Sequence, residues 1–280
     1  MSGLPVKAGT VIDGKYRVEG LLGEGGMGAV VRATHTVLGH PVAIKLIRSQ
    51  TAQTEEARLR FVREAQAAAQ LKSDHVGRVY DVGALPDGVP YLVMEHLEGH
   101  DLLDQLTDWG AAEPMVAVRY IVEALDAIAE AHRLGIIHRD LKPANLFLSR
   151  QKGDVRIKVL DFGISKLVGE RVQGAGALTT DPTTVLGSPA YMSPEQVRSA
   201  KLVDARTDVW ALGVILHELL SGQNLFAGET VGEVIANVLT MVPPRLPPHV
   251  GAPLQAIVDR CLDRDPARRY EDGYALLQAL

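Results

Sequence analysis

The pattern of hydrophobic and polar positions changes about a third of the way along the chain. Before that point, short β-branched runs alternate with glycine-rich turns, and residues 16–47 predict three consecutive antiparallel strands. Residues 54–72 are rich in Ala and Arg and predict a helix, with Thr54 as a candidate N-cap. Residues 76–85 and 89–97 predict two further strands, joined by a Pro-Asp-Gly turn.

Helical periodicity dominates the remainder of the chain. One helix is predicted to start near Pro114 and to stop at Gly135, and another is predicted to stop at Gly222. A proline in the first turn and a glycine just past the last turn are typical of helix ends. Residues 146–149 and 156–160 predict a β-hairpin within this region. A strand-rich region therefore precedes a helix-rich one.

Two segments of the second region have neither helical nor strand periodicity. Residues 169–186 are small, polar and aperiodic, which is the composition of a long functional or disordered loop. Residues 241–250 contain four prolines and predict a stiff connector rather than a helix.

Composition and charge are those of an ordinary globular protein. The 280 residues are 46% hydrophobic, enough to bury the core of about two domains or lobes. The net charge of -5 predicts no global attraction to nucleic acid or to an anionic membrane. The one cysteine, Cys261, predicts a buried thiol in a reducing compartment. The N-terminus lacks an apolar signal-peptide core, and the longest apolar run is interrupted by His217 and Glu218, so that neither a signal peptide nor a membrane span is predicted.

The glycine-rich segment GEGGMG, residues 23–28, is the first candidate for chemistry. It lies between two predicted strands, whereas a dinucleotide-binding fingerprint should open a helix. Without Cβ atoms, its backbone N–H groups could approach phosphate groups closely. A glycine-rich turn that binds no ligand would have the same pattern, so this segment by itself leaves both interpretations open.

Lys45 and Glu64 are the next candidates. Lys45 ends the strand motif VAIK and by itself fits an outward-facing strand lysine equally well. Glu64 occupies the middle of an apolar helical stripe, where a carboxylate needs a cation. The apolar residues of this stripe are Ala57, Phe61, Ala68 and Leu71. Arg60 is one candidate cation, but Lys45 on the adjoining strand gives a buried geometry that would also hold the ammonium group rigid for a phosphate.

Asp161 and Asn145 form a candidate metal site. Asp161 ends an apolar strand and precedes a Phe-Gly pair, a position where an aspartate often only forms a turn. The predicted hairpin, however, returns Asp161 toward Asn145, at the start of the first arm. Carboxylate and amide oxygens are the hard ligands that Mg²⁺ prefers together with phosphates and water.

The order of these motifs resembles one family. GEGGMGAV, VAIK, the helix glutamate, HRDLKPAN, DFG, SPE and DVWALG together resemble the protein kinases, in particular the bacterial eukaryotic-like (Hanks-type) serine/threonine kinases. The resemblance implies an α+β, two-lobed protein kinase fold, with a small antiparallel β-sheet lobe that has one main helix and a larger, mostly helical lobe. The implied kinase domain covers 10–280, with an N-lobe at 16–97 and a C-lobe at 98–280, after a flexible N-terminus at 1–9.

The resemblance also implies an ATP site. The glycines would shape a loop over ATP, Lys45 would hold the α- and β-phosphates, and Glu64 would fix Lys45. Adenine would lie between aliphatic side chains and Phe147, beside Met94 as gatekeeper, with its edge on the backbone of 95–97. The residues implied to contact ATP are Leu22, Gly23, Gly25, Gly28, Val30, Ala43, Lys45, Met94, Glu95, Leu97 and Phe147.

Catalytic roles follow from the same resemblance. Asp140 would be the catalytic base or would orient the substrate hydroxyl, and Lys142 would steady the γ-phosphate. Asn145 and Asp161 would hold Mg²⁺, with Mn²⁺ as an alternative. Lys142 is similar to the lysine of serine/threonine kinases, which tyrosine kinases usually lack. His138 is implied to be mainly a packing and hydrogen-bonding residue rather than a catalytic one.

Regulatory and structural residues are implied as well. Arg139 would bind a phosphorylated residue of the activation loop and so order that loop. Ser188 would reach the catalytic aspartate, Glu195 would pair with Arg269, and Asp208 would anchor the backbone of the catalytic loop. The candidate phosphorylation sites are Thr179, Thr180, Thr183 and Thr184.

The sequence therefore predicts a kinase that transfers the γ-phosphate of ATP to serine or threonine of protein substrates, itself included. A pseudokinase scaffold is the alternative, and the intact Lys45, Asp140, Asn145 and Asp161 argue against it. A small-molecule phosphotransferase should lack the SPE and RDPARR motifs. The resemblance further implies a cytoplasmic domain, no nucleic-acid partner, no membrane contact within this segment, a homodimer paired through the small lobe, and a membrane tether beyond Leu280.

Overall fold

The chain folds into two compact units. The computed structural model describes residues 6–25, 28–47, 54–151, 153–162, 189–199 and 203–280. Among these, the first unit contains the residues up to 72 together with Gly77–Glu98, and the second contains Ser73–Val76, residues 99–162 and those after 188. The division after Glu98 coincides with the change of pattern in the sequence, whereas the short segment Ser73–Val76 joins the second unit through contacts that no local pattern indicates.

An antiparallel sheet of six strands forms most of the first unit. Its strands are β1 (Val11–Ile12), β2 (Tyr16–Gly25), β3 (Gly28–His35), β4 (Pro41–Ile47), β5 (Val79–Ala84) and β6 (Pro90–Glu95). They lie in the order β1-β2-β3-β4-β6-β5. The three consecutive strands and the later pair predicted from the sequence are confirmed. β1 was not predicted, because two residues are too few to show an alternation of apolar and polar positions.

Both faces of this sheet are buried. Side chains two positions apart on a strand share a face. Ile44 and Val93 lie in the apolar cluster of one face, whereas Leu92 belongs to the cluster of the other face. Helix α1 (Glu55–Ala68) covers the second face, where Phe61 and Ala65 pack with Leu92. The predicted helix is confirmed, and it begins directly after Thr54.

Residues 6–9 differ from the flexible segment predicted over 1–9. Val6 is buried within the apolar cluster of the sheet, and the N–H of Gly9 donates to the carbonyl oxygen of Val18 over 2.8 Å. One buried valine and one backbone hydrogen bond attach this segment to the sheet. A single apolar residue gives no periodic signal, which is why the sequence did not indicate the contact.

Helices form most of the second unit. They are α2 (Leu102–Trp109), α3 (Pro114–Arg133), α4 (Pro194–Arg198), α5 (Arg206–Ser221), α6 (Val231–Thr240), α7 (Ala252–Cys261) and α8 (Gly273–Leu277). The predicted start at Pro114 and the predicted stop at Gly222 are confirmed. Gly222 is left-handed, with φ 70°, and its N–H donates to the carbonyl oxygen of Glu218 over 2.7 Å.

Helix α5 is the central helix of this unit. Its residues from Thr207 to Leu220 are buried, and it packs against α3, α7 and α8. The thiol of Cys261 is also buried here, and burial raises its pKa to about 12, as expected of a structural cysteine. Across the described part of the chain, no helix combines the length and the apolarity that crossing a membrane requires.

A second, three-stranded antiparallel sheet belongs to the same unit. It consists of β7 (Gly99–Asp101), β8 (Leu146–Gln151) and β9 (Asp154–Val159), in that order, and it confirms the predicted hairpin. The proline-rich residues 241–250 form a connector with one short 3₁₀ turn, as predicted. The predicted loop at 169–186 lies outside the described residues.

Candidate active site

Strand register brings several of the predicted ATP contacts onto one face of the large sheet. Val30 pairs with Lys45, and Ala43 pairs with Met94. Because residues directly opposite each other and residues two apart share a face, these four side chains lie together. We call Val30, Ala43, Lys45 and Met94 the nucleotide face. It is the face that α1 covers, since Lys45 is also opposite Leu92.

Lys45 and Glu64 lie on the same side of the sheet. The side chain of Lys45 is buried. Phe61 and Ala65 pack onto Leu92, and Glu64 lies between them on α1, with both carboxylate oxygens shielded from solvent. This placement agrees with the expectation that a cation on the strand faces the carboxylate. The side chain of Arg60, the other candidate cation, is outside the described part of the structure.

The glycines of the GEGGMG segment differ in whether packing requires them. β2 ends and β3 begins beside each other, with Gly25 opposite Gly28, and residues 26–27 lie outside the described residues. A Cβ on Gly28 would lie 1.9 Å from the carbonyl oxygen of Leu46, so that packing against β4 requires glycine. A Cβ on Gly23 would meet no described atom within 4 Å. Gly23 therefore has no packing requirement among the described residues.

The other predicted ATP contacts are divided between the two units. Leu22, next to the glycines on β2, is half exposed. Glu95 ends β6, with its N–H donating to the carbonyl oxygen of Arg78 over 2.9 Å, and Leu97 follows in the link to the second unit. Phe147 belongs to the second unit, where it is partly buried on β8 opposite Lys158.

Asp208 anchors the segment of residues 138–145, which we call the catalytic segment. Its Oδ2 accepts the N–H of His138 and its Oδ1 accepts the N–H of Arg139, each over 2.8 Å. Nε2 of His132 also donates to Oδ2 over 2.8 Å, while Nδ1 of His132 accepts the N–H of Gly273. Burial raises the pKa of Asp208, but the hydrogen bonds, first that from His132, outweigh it and hold the pKa below its usual range.

Two nitrogen donors hold the carboxylate of Asp140. Nζ of Lys142 lies 2.8 Å from Oδ2 of Asp140. Nδ2 of Asn145 lies 3.3 Å from the same oxygen and 2.7 Å from the backbone oxygen of Asp140. The carboxylate is thus fixed and partly buried, an environment in which it can orient a hydroxyl group and accept its proton.

The hairpin brings Asn145 and Asp161 together, as predicted. The N–H of Leu160 donates to the carbonyl oxygen of Asn145 over 2.9 Å, and Asp161 follows directly. Asp161 is left-handed, with φ 62°, a conformation that aspartate tolerates better than most residues. Within the described residues there is no group of three or more His, Cys, Asp or Glu side chains that could hold a metal ion. A site here would therefore use one aspartate and one asparagine.

His138 connects the catalytic segment to the residues on either side of Asp161. It is fully buried, its Nε2 lies 2.7 Å from the carbonyl oxygen of Leu160, and its Nδ1 accepts the N–H of Asp140 over 3.3 Å. Its ring lies 4.9 Å from that of Phe162. These contacts are the packing and hydrogen-bonding ones expected of this residue.

Glu195 and Arg269 form a buried bidentate pair. The two guanidinium nitrogens lie 2.7 and 3.0 Å from the two carboxylate oxygens, and the guanidinium also stacks over the ring of Trp210. Burial raises the pKa of Glu195, but the hydrogen bond from Arg269 outweighs it, so the pKa is lowered. The pair joins α4 to the segment between α7 and α8.

Arg139 has an unusual backbone and a partly buried side chain. Its φ is 67°, and its Nε is buried without a hydrogen-bond partner among the described residues. The threonines predicted to be phosphorylated, and the serine predicted to reach Asp140, lie outside the described residues; they are Thr179, Thr180, Thr183, Thr184 and Ser188.

Two buried polar contacts of the second unit were not found from the sequence. His132, which donates to Asp208, has no signal of its own, since a histidine on a long helix is usually a surface or core residue. Glu218 had a signal, because it interrupts the apolar run of α5. The hydroxyl of Tyr191 donates to its carboxylate over 2.7 Å, and burial raises the pKa of Glu218.

Comparison with known proteins identifies the family. The profile described as "Protein kinase domain" matches residues 16–277. The serine/threonine-protein kinase PknB of Mycobacterium tuberculosis is 37% identical over 263 residues, which cover 92% of this chain and 41% of that protein. The probable serine/threonine-protein kinase PknB of Corynebacterium glutamicum is 38% identical over 223 residues, which cover 79% of this chain and 33% of that protein.

A solved structure gives the same result. The crystal structure of the PknI kinase domain of Mycobacterium tuberculosis matches with a TM-score of 0.76 and 27% identity, covering 98% of both chains. The chain therefore belongs to the protein kinase family, and the predicted kinase fold is confirmed. The chain spans only between 33% and 41% of the length of the two curated relatives described above.

Proposed function

We propose that this chain is a serine/threonine protein kinase, which transfers the γ-phosphoryl group of ATP to hydroxyl groups of proteins. Its own segment at 163–188 is one of the proposed acceptors. The family membership and the printed names of the relatives support this activity. The observation that carries the proposal is the carboxylate of Asp140, which Lys142 and Asn145 hold, while the backbone oxygen of Asn145 accepts the N–H of Leu160, next to Asp161.

Each residue of the catalytic segment has a proposed part in the transfer. The substrate hydroxyl oxygen forms a bond to the γ-phosphorus, the bond from that phosphorus to the bridging oxygen of ADP breaks, and Asp140 accepts the hydroxyl proton. Lys142 carries the positive charge that balances the γ-phosphoryl oxygens. Because the reaction needs mainly alignment and charge neutralisation, a carboxylate already held by two donors is suited to it.

The nucleotide face would hold ATP. Lys45 would bind the α- and β-phosphates, and the buried carboxylate of Glu64 would keep its ammonium group in place. Gly23 supports this role, since no described neighbour would exclude a side chain there. A glycine without a packing reason is expected where a backbone N–H must approach a ligand.

Asn145 and Asp161 fit a divalent cation. The amide nitrogen of Asn145 donates to Asp140, which directs its amide oxygen away from that residue. A carboxylate and an amide oxygen are hard ligands, and two protein ligands suit Mg²⁺, which keeps waters and binds phosphate oxygens. Bound there, Mg²⁺ would supply charge neutralisation, and Mn²⁺ is the proposed substitute.

Arg139 would link phosphorylation to activity. Its buried Nε, without a hydrogen-bond partner among the described residues, suits an added phosphate. A phosphothreonine accepts bidentate hydrogen bonds from a guanidinium and can order a segment in this way.

Labelled ATP tests the proposal. The purified chain is incubated with γ-labelled ATP and Mg²⁺ beside the Asp161→Asn variant. We expect label in the unmodified chain and about 10²-fold less in the variant, because an amide replaces the charged metal ligand. EDTA should abolish the labelling, and added Mg²⁺ should restore it. Mapping the label among the four threonines would then identify the site of self-phosphorylation.

Two outcomes would contradict the proposal. No label in the unmodified chain, together with binding of ATP, would favour the pseudokinase scaffold. Equal label in both proteins would show that the transfer does not use the proposed metal site.

A further inference from the structure

The side chain of Gln196 on α4 makes a contact with the catalytic segment that the family resemblance did not suggest. Its Nε2 donates to the carbonyl oxygen of Arg139 over 2.8 Å, across 57 positions of sequence. We infer that Gln196 is a positioning residue for phosphoryl transfer, because it fixes the peptide group that carries Asp140. The inference rests on the proposed function, in which Asp140 accepts the proton of the substrate hydroxyl.

Both ends of the Gln196 amide are used. Its Oε1 accepts the N–H of Ser193 over 3.0 Å, while the hydroxyl of Ser193 accepts the N–H of Gln196 over 3.3 Å. This reciprocal arrangement is a capping box at the start of α4. The amide oxygen of Gln196 therefore accepts a hydrogen bond from the helix cap, and its amide nitrogen donates one to the catalytic segment.

The peptide group between Arg139 and Asp140 is held at both ends. Gln196 binds its carbonyl oxygen, and Nδ1 of His138 binds its N–H over 3.3 Å. The two preceding N–H groups are bound by Asp208. The N–H groups of residues 138–140 and the carbonyl oxygen of Arg139 thus have partners, and among these four contacts Gln196 supplies the one donor.

The backbone of Arg139 shows why this contact matters. Its φ of 67° is left-handed, which costs free energy for a residue that is not glycine and persists only where the surroundings hold it. If the carbonyl oxygen loses its donor, the restraint on this conformation weakens. Rotation toward an ordinary φ would turn the peptide group and move the carboxylate of Asp140.

Two substitutions can separate the positioning role of Gln196 from its role in the helix cap. A glutamate at 196 would still accept the N–H of Ser193, and it is a common residue at this place in a capping box. It would, however, set a carboxylate oxygen against the carbonyl oxygen of Arg139. Conversely, alanine at Ser193 removes the hydroxyl of the cap and its contact with Thr207, but it leaves the backbone N–H and the Arg139 contact intact.

Two variants test the inference in the full 280-residue chain. The initial rate of transfer from γ-labelled ATP is measured with casein as acceptor and for the chain itself, together with the urea midpoint of unfolding. We expect Q196E to lower kcat about 10- to 100-fold, with an unchanged KM for ATP, because a small misplacement of a catalytic group costs this much. Its urea midpoint should stay that of the unmodified chain. We expect S193A to lower the urea midpoint and to keep kcat within about threefold.

The other outcomes would contradict either the inference about Gln196 or the proposed function on which it rests. A Q196E variant with the kcat of the unmodified chain overturns it. So does a fall in kcat that is equal in Q196E and S193A, or that follows the loss of stability, because Gln196 would then be only a structural residue. An unmodified chain that labels neither casein nor itself overturns the proposed function, and with it the inference. Labelling by the unmodified chain with no effect of Q196E leaves the proposed function intact.

Discussion

The two units position their candidate functional side chains in different ways. In the first unit, strand pairing alone sets Lys45 beside Val30 and Leu92, as part of a regular ladder. In the second unit, the irregular backbone around Asp140 is held by side chains from distant helices, with Asp208 the main anchor. Regular pairing spreads its stabilisation over many hydrogen bonds, whereas the catalytic segment depends on a few. Loss of the main anchor, Asp208, should therefore lower activity and stability together, whereas a substitution in the ladder of the first unit should separate the two.

The largest effect is expected for Asp208→Asn. The amide places an N–H donor where one of the two backbone N–H groups, that of His138 or that of Arg139, needs an acceptor. We expect a loss of about 3 kcal/mol in the free energy of unfolding, together with a fall in the rate of transfer. Urea denaturation measures the first and labelled ATP the second. The exposed Asp204, changed to Asn, is the control and should cost less than about 0.5 kcal/mol. Equal stability of the two variants would refute the role of Asp208 as an anchor.

Lys45→Arg should separate activity from stability. The variant keeps a cation for the proposed contact with Glu64 but replaces a compact ammonium by a wider guanidinium. We expect the rate of transfer to fall about 10²-fold, while the free energy of unfolding changes by about 1 kcal/mol or less. Lys15→Arg, at an exposed position of the same unit, should leave the rate unchanged. A large loss of stability in Lys45→Arg would remove the contrast between the two units.

Arg269→Lys should have an intermediate effect on stability. Lysine keeps the charge but loses the bidentate contact with Glu195 and the stacking on Trp210. We expect a loss of about 1.5 kcal/mol in the free energy of unfolding. Its neighbour Arg268 is exposed, and Arg268→Lys in the same denaturation assay should be neutral. Two neutral variants would mean that the buried pair adds nothing beyond its charge.

The smallest expected effect is the contribution of His217 to the pH dependence of stability. Burial lowers the pKa of His217, whose Nε2 lies 3.1 Å from the carbonyl oxygen of Pro244. The unfolded chain then binds more protons near the ordinary histidine pKa, so stability falls as pH drops below about 6.5. Between pH 7.5 and 5.5, the unmodified chain should lose about 1 kcal/mol more than His217→Gln, measured by urea denaturation. Parallel losses in both proteins would exclude His217 as the cause.

Sequence reasoning predicted the contacts that join elements close together in the chain. The β8–β9 hairpin has two short apolar arms that are joined by a glycine-containing turn. The approach of Asp161 to Asn145 could therefore be predicted from the residues. The strands that carry Lys45 were predictable for the same reason. Asp208 was found only through the resemblance, because nothing in its own helix indicates a loop 70 positions earlier. The contact of Gln196 with Arg139 was missed, since a capping box predicts only the local half of its hydrogen bonds.

The β8–β9 hairpin also implies an order of assembly during synthesis. The hydrogen bond from Leu160 to Asn145 closes a loop of 160 − 145 = 15 positions, whereas the pair of Glu195 and Arg269 closes one of 74. Closing the longer loop costs about 1.4 kcal/mol more in chain entropy. Hairpins form within about 1 to 10 μs, far faster than a ribosome adds one residue. On a growing chain, the two proposed metal ligands should therefore meet before Asp208, the anchor of the catalytic segment, has been synthesised.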